Sequence, residues 1–351
     1  MKTCAIICEL NPAHNGHKYI FDKARELTEA DILIAVMSGD FVQRGECALF
    51  DKHRRAQMAL LLGADICIEL PGIFATGSAE YFARGAVAIL KALGNVDYLV
   101  FGSECGNIDN IKEVEPGSPN DILAKEYLRA LEYFNMGTIP VPVKREGPGI
   151  NDIKPSGKYA GATYIRNCLI NGSPVNSFMP QDILEICETS RQTRINDFSE
   201  ILLYKLINED SFDSYFDIFP DLSNKIRKSI PDFTSLTDFY SKLKSKDIAH
   251  SHIRRALLHI ILDYRKADFE KIKDSYLPYI RLLAFNANSR SYLGKLGNHP
   301  LFINKLSEAS SILPGDNYLL FEKDIKASHL YSYISTGKVI SEYRRKIITL
   351  Q

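Results

Sequence analysis

Hydrophobic positions along the first half of the chain switch repeatedly between two periods. Short apolar runs of β character stand at "TCAIICEL", "DILIAVMSG", "ADICIELP", "DYLVFGSE" and "TIPVPVKR". Between them lie stretches such as "RRAQMALLLG", "SAEYFARGAVAILKALG" and "DILAKEYLRALEYF", whose apolar residues return every three or four positions. Unbroken apolar runs bounded by turn residues suit strands buried on both faces, and the longer period suits helices packed against them. Their alternation predicts an α/β fold, a Rossmann-like doubly wound parallel sheet. Ligands of such sheets bind beyond the carboxyl ends of the strands, so "NPAHNGH", "SGDFVQRG", "LPGIFATGS" and "GSECGN" are the loops in which to look for chemistry.

From about residue 186 the alternation stops. "EILLYKLI", "SHIRRALLHIILDYRK", "YIRLLAF" and "DIKASHLYSYIS" all read as helical, with no strand between them. The pattern therefore predicts a sheet-based domain over residues 1–185 and an all-α domain over 186–351.

Composition changes this picture little. A hydrophobic content of 45% over 351 residues suffices for two packed units. No apolar run has the length of a membrane span and no leader pattern opens the chain, which predicts a cytoplasmic protein that does not enter a membrane. Seven cysteines without a CxxC pair suggest neither a disulfide framework nor a zinc ribbon. Cys4, Cys8 and Cys67 lie in strand-like runs and read as small buried hydrophobes. Net charge is zero, yet residues 1–185 hold 18 basic and 23 acidic side chains while residues 186–351 hold 25 and 20. A surplus of that size is what a solvated surface carries.

The first strand-to-helix turn changes it more. "NPAHNGH" places His14 and His17 three residues apart around Gly16. Glycine lets the backbone approach a ligand, and the helix that follows presents free N–H groups and the positive end of its dipole to phosphate. Histidines there can donate to phosphate oxygens as charge grows during in-line attack on the α-phosphorus. Two other readings compete: a zinc pair, for which no third ligand stands at metal spacing, and a pair that merely caps the helix. Neither the Walker A pattern nor GxGxxG occurs.

The HxGH form resembles the signature of the nucleotidyltransferase superfamily. "GATYIR", residues 161–166, is similar to that superfamily's late motif, which implies that Thr163 caps a helix and Arg166 approaches the β- and γ-phosphates. The whole chain resembles the bacterial tRNA(Met) cytidine acetate ligase family, through "ELNPAHNGH", "AVMSGDFVQRGE", "GADICIELP", "FARGAVAIL", "FGSECGN", "SPNDILAKEYL" and "GATYIR" in that order. The resemblance implies an ATP-dependent ligase with Mg²⁺. Acetate and ATP give acetyl-adenylate, and the acetyl group passes to N4 of the wobble cytidine of elongator tRNA(Met).

It also implies catalytic roles for His14 and His17. Family contacts to ATP fall on Ile7, Cys8, Glu9, Leu10, Asn11, Pro12, Ala13, His14, Asn15, Gly16, His17, Lys18, Tyr19 and Ile20 around the first turn. Others fall on Gly102 in "FGSE", on Asn120 in "SPND" and on Arg145 with Glu146 after the fifth strand. The chain departs from the family in a shortened insertion before Asn120, in Asn151-Asp152 where a His-Asp pair is usual, and in Gly161 for serine. Those departures bear on the acceptor step more than on adenylation. The alternative reading keeps the fold and the first step but gives it a small-metabolite or protein acceptor.

For nucleic acid, "KLKSKDIAHSHIRR" gathers Lys242, Lys244, Lys246, Arg254 and Arg255, either as phosphate contacts or as plain solvated helix faces, the reading composition alone favours. "SGDFVQRG" offers Asp40, Gln43 and Arg44 at the same sheet edge, either for substrate or as a plain surface loop.

Overall fold

The computed structural model describes residues 1–94, 96–113, 119–147, 155–245 and 248–350. Strand β1, Thr3–Cys8, is buried along its whole length, because a central parallel strand is covered on both faces and tolerates no charge. Strand β2 (Ile32–Ser38) pairs parallel with β1, and a small hairpin of β3 (Phe41–Val42) and β4 (Glu46–Cys47) follows it. Strand β5 (Ile66–Leu70) lies outside β2, while β6 (Tyr98–Ser103) and then β7 (Ile139–Lys144) lie on the other side of β1. The order β5-β2-β1-β6-β7 reverses between β1 and β6, and the crevice at that reversal opens beyond the carboxyl end of β1.

Alternate residues of each strand serve two cores. Ala5, Ile7, Ile34 and Val36 face the helices Ala79–Ala92 and Pro119–Tyr133, whereas Cys4, Ile6, Leu33 and Ala35 face Asn15–Thr28 and Lys52–Leu62. Cys4, Cys8 and Cys67 are buried free thiols, as the apolar runs predict. Among the described residues no helix is long and apolar enough to cross a membrane.

The α/β prediction holds, but the all-α prediction for residues 186–351 does not. "YIRLLAF" forms β8 (Ile280–Asn286), antiparallel to β5, and β9 (Phe302–Ile303) and β10 (Ile348–Leu350) pair parallel with it. Residues from Ile280 to Ala284 are all buried. A strand buried on both faces shows no alternation, and its length equals two helical turns, so hydrophobic spacing cannot separate the two structures. The second half thus completes the sheet of the first, in the order β10-β8-β5-β2-β1-β6-β7.

"SGDFVQRG" forms a hairpin whose strand residues Phe41 and Val42 are buried, with Gln43 half-buried and Arg44 exposed near its tip. Gly45 turns its tip with φ of 71°, and a Cβ there would stand 2.5 Å from the backbone between Arg254 and Arg255. The tip is pressed against the helix His250–Leu262 of the second half. Gly45→Ala is expected to lower the unfolding free energy by about 2–4 kcal/mol, from left-handed backbone strain and forced displacement of the helix. Urea unfolding measures it, and a variant as stable as its parent would mean that the tip can leave the helix at no cost.

Candidate active site

Beyond Cys8 the chain turns sharply, with Leu10 at φ of 48°, and enters the helix Asn15–Thr28 at His14. His14 is the cap of that helix: its backbone is extended and its Nδ1 accepts from the N–H of Gly16 at 3.0 Å. An accepting Nδ1 leaves the ring proton on Nε2, so His14 offers a fixed donor on its other side. The His17 ring lies 3.9 Å from that of His14, centre to centre. Burial, followed by the nearby His17, Arg145 and Arg166, holds His14 well below the ordinary histidine range. Burial and Arg145 pull His17 down to about 3. Both rings are therefore neutral at pH 7 and act as hydrogen-bond donors rather than as charges. The capping reading is borne out, and it uses only Nδ1 of His14, so it leaves Nε2 free of that duty.

The late motif reaches the same turn. Nη1 of Arg166 donates to the carbonyl of Asn11 at 2.8 Å, and Nη2 donates to Thr163 Oγ1 at 3.0 Å. Thr163 does not cap its helix, as the motif had implied. The helix Ala162–Ile170 begins one residue earlier, its cap position is Gly161, and the threonine hydroxyl is spent on the arginine instead. Arg166→Lys cannot span both partners with one ammonium. It is expected to lower the ATP-dependent rate by about 10–100-fold with little change in melting temperature, as steady-state kinetics beside a thermal melt would register.

A cleft of about 580 Å³ opens over this turn, a volume that suits a small organic ligand. Ile7, Cys8, Glu9, His17 and Ile20 line it from the first turn, Gly102 from the end of β6, Asn120 from the helix Pro119–Tyr133, and Arg145 just past the end of β7. Three arginines, Arg44, Arg145 and Arg255, line it against a single carboxylate, Glu9, so the cleft suits a polyanion. Gly102 is tight: a Cβ would lie 3.0 Å from Ile20 Cδ1. Burial and Arg44 lower the pKa of Arg145, with Glu104 opposing them.

Other residues around the first turn support it. Leu10, Pro12 and Ala13 are buried behind it, and Asn11 Oδ1 accepts from Leu49 N at 2.8 Å. Asn15 Nδ2 donates to the carbonyls of Lys158 and Ser177, Lys18 pairs with Asp22, and Tyr19 meets Tyr159 edge-on. Glu146 is exposed and accepts from the Tyr159 hydroxyl at 2.9 Å.

Some functional residues escape sequence reasoning. Buried Asp121 clamps the loop after β6 by accepting from Ser103 Oγ, Glu104 N and Cys105 N. Arg55, fully buried, donates to the carbonyls of Glu9, Ser38, Gly39 and Phe50 and so ties the ends of β1 and β2 together. "SPND" carries a signal for the first, as an acid at a helix start. Nothing local marks Arg55, whose partners come from four separate backbone positions.

Asp40 turns away from the cleft into a buried ion cluster with Lys52, whereas Gln43 and Arg44 line the cleft. The basic segment divides. Lys242 and Lys244 are exposed, Lys242 paired with Asp238 at 2.9 Å. Arg254 instead pairs with Glu46 and lies over the Tyr240 ring, and Arg255 is buried at the cleft wall. Helix packing turns these two inward, so they do not join a surface patch. Lys246, Asn151 and Asp152 lie outside the described residues. Among the described residues no cluster of three His, Cys, Asp or Glu side chains is placed to hold a metal ion.

Three kinds of similarity accompany this geometry. The HIGH Nucleotidyl Transferase family model matches residues 1–117 and 111–346. The tRNA(Met) cytidine acetate ligase of Caldicellulosiruptor saccharolyticus is 35% identical, over 95% of this chain and 94% of that protein. That of Clostridium perfringens is 32% identical, over 98% of each. The crystal structure of Thermotoga maritima TmcAL without ligand superposes with a TM-score of 0.93 at 28% identity, covering 100% of both chains. A second crystal form of the same protein, bound with alpha-thio ATP, gives 0.91 at 27%.

Proposed function

We infer, for a chain that belongs to the HIGH nucleotidyltransferase family and within it to the tRNA(Met) cytidine acetate ligases, that the cleft performs acetate activation and acetyl transfer to RNA. The chain is an ATP-dependent ligase of α/β fold. In the first step an acetate oxygen attacks the α-phosphorus, the bond to the β-phosphate bridging oxygen breaks, and pyrophosphate leaves. Acetate is already an anion at neutral pH and needs no general base. In the second step the N4 amine of the wobble cytidine of elongator tRNA(Met) attacks the acetyl carbon. AMP leaves with the bonding pair and the amine gives up a proton.

The observation that carries this reading is the neutral His14–His17 pair at a helix start, with His17 lining a cleft that also carries three arginines and one carboxylate and His14 buried against its ring. Nε2 of His14 and the His17 ring donate to phosphate oxygens as charge develops, and Arg145 and Arg166 supply fixed positive charge. The adenosine falls toward Gly102 and Asn120, across the β1/β6 reversal. Glu9, the one carboxylate lining the cleft, accepts from Gln43 N at 2.8 Å, and Mg²⁺ arrives as part of MgATP, a substrate. Residues 186–351 take the RNA, with Lys242 and Lys244 as exposed phosphate contacts, and the protein works in the cytoplasm.

The deciding experiment incubates the protein with MgATP, labelled acetate and elongator tRNA(Met), then digests the RNA. Label in N4-acetylcytidine supports both steps. Absence of label in RNA beside a robust acetate-dependent ATP–pyrophosphate exchange overturns the choice of acceptor and leaves adenylation standing.

A further inference from the structure

We propose that Arg255, with Ser251 one helical turn before it, seats the carboxylate of acetate in the cleft. The proposal rests on the acetate-activating reading above and names the residues that reading leaves unassigned. Both side chains belong to the helix His250–Leu262, both line the cleft, and their i, i+4 spacing puts them on one face of the helix.

Arg255 is 7% exposed. Its Nε lies 3.5 Å from Asp217 Oδ2, inside ion-pair reach but without a hydrogen bond. Among the described residues none of its side-chain nitrogens has a hydrogen-bond partner. Arg254 Nε and Arg281 Nη1 are likewise buried without a hydrogen bond, but the guanidinium of each is held through another nitrogen, Arg254 by Glu46 and Arg281 by Glu342. Arg55 is satisfied by four carbonyls, and Arg254 is held by Glu46 and the Tyr240 ring. A buried guanidinium left open on its cavity side is a group awaiting an anion. Its planar fork matches a carboxylate with two parallel hydrogen bonds.

Position decides which anion. The hairpin tip at Gly45 abuts the backbone of Arg254 and Arg255, and Gln43 of the same hairpin is tied to Glu9 at the end of β1. This hairpin follows β2, whereas Gly102 and Asn120 belong to β6 and the helix after it, on the opposite side of β1. The nucleotide and the Arg255 end therefore flank the histidine turn from two sides, as an attacking carboxylate and ATP must. Ala79 and Phe82, from the helix that follows β5, line the same cleft with apolar surface fit for a methyl group. A side chain so nearly buried admits a small anion more readily than the phosphate of an RNA backbone.

The test measures acetate-dependent ATP–pyrophosphate exchange by the full chain, varying acetate and ATP separately. Arg255→Ala is expected to raise the KM for acetate about tenfold or more while the KM for ATP stays within about twofold, the loss of one charge-assisted pair. Arg255→Lys should lie between, and free guanidinium ion should restore part of the activity of Arg255→Ala. Ser251→Val, at an exposed position that tolerates substitution, should raise the KM for acetate alone, and it carries the test if the arginine variants fold poorly. An unchanged acetate KM in Ser251→Val and Arg255→Ala, or an equal rise for acetate and ATP, overturns the proposal. Normal exchange with lost transfer to tRNA also overturns it and moves Arg255 to the acceptor. A wild-type protein with no acetate-dependent exchange fails the parent reading instead, so the two failures stay distinct.

Discussion

His17→Ala is expected to slow acetate-dependent ATP–pyrophosphate exchange by about 10²–10³-fold, the usual cost of one donor to a developing oxyanion, with almost no change in melting temperature. The asymmetry of the pair makes this the informative substitution. His14 both caps a helix and presents a donor, so His14→Ala also forfeits a cap worth about 0.5–2 kcal/mol. His17 Nδ1 has no partner among the described residues, and removal of its ring leaves the backbone of the turn intact. His14→Asn separates the two duties of the first histidine, since asparagine caps as well but places no ring over the cleft. It should keep the stability of the parent and share the kinetic defect of His17→Ala. A fall of less than about tenfold in His17→Ala would remove the histidines from the chemistry and return them to a purely structural part.

Lys52→Met is expected to destabilise the fold by about 3–5 kcal/mol at pH 7, the cost of leaving buried charges without their partner. The Lys52 side chain is wholly buried, with Nζ 2.7 Å from Glu69 Oε1, 3.5 Å from Glu342 Oε2, 4.0 Å from Asp40 Oδ2 and 2.7 Å from Ser328 Oγ. Arg281 of β8 adds a second cation, 3.0 Å from Glu69 Oε2 and bonded also to Glu342. Without the lysine, Glu69 and Glu342 share one guanidinium and Asp40 loses its ion-pair partner. The pH dependence has a definite sign. Glu69 and Glu342 titrate below the ordinary range despite burial, because Lys52 and Arg281 stand beside them, with His53 also touching Glu342. A depressed carboxyl contributes stability in full above its unfolded value, near pH 4.5, and loses that contribution as the pH falls. The gap between parent and variant should therefore be widest at pH 7 and already smaller at pH 4, closing only as the pH falls further through the folded values. Urea unfolding at both values reads it; equal gaps would mean that the cluster acts through packing alone.

How much of this was legible in the chain depends on the range of the interactions. The histidine turn could be read because its ingredients are consecutive: an apolar run, a glycine, two rings and a helix start. Strand β8 could not, since its pairing with β5 joins residues far apart and burial on both faces erases the alternation that marks a strand. Thr163 shows a subtler failure. A threonine at a helix start is a good cap by propensity, yet the arginine three residues on takes its hydroxyl. Arg254 and Arg255 look like neighbours in a basic surface run, and only the press of the hairpin on their helix decides that both turn inward.

Strand β8 also bears on synthesis. The ribosome releases the histidine turn and strand β5 early, but the partner that covers the open edge of β5 emerges only with residues 280–286. Until then the nascent sheet presents unpaired backbone groups to solvent, where another chain can add to them. A ribosome stalled between these points, or a truncated product, holds a complete histidine turn on an unfinished sheet. Activity in such fragments is expected to be limited by aggregation at that open edge rather than by the chemistry of the cleft.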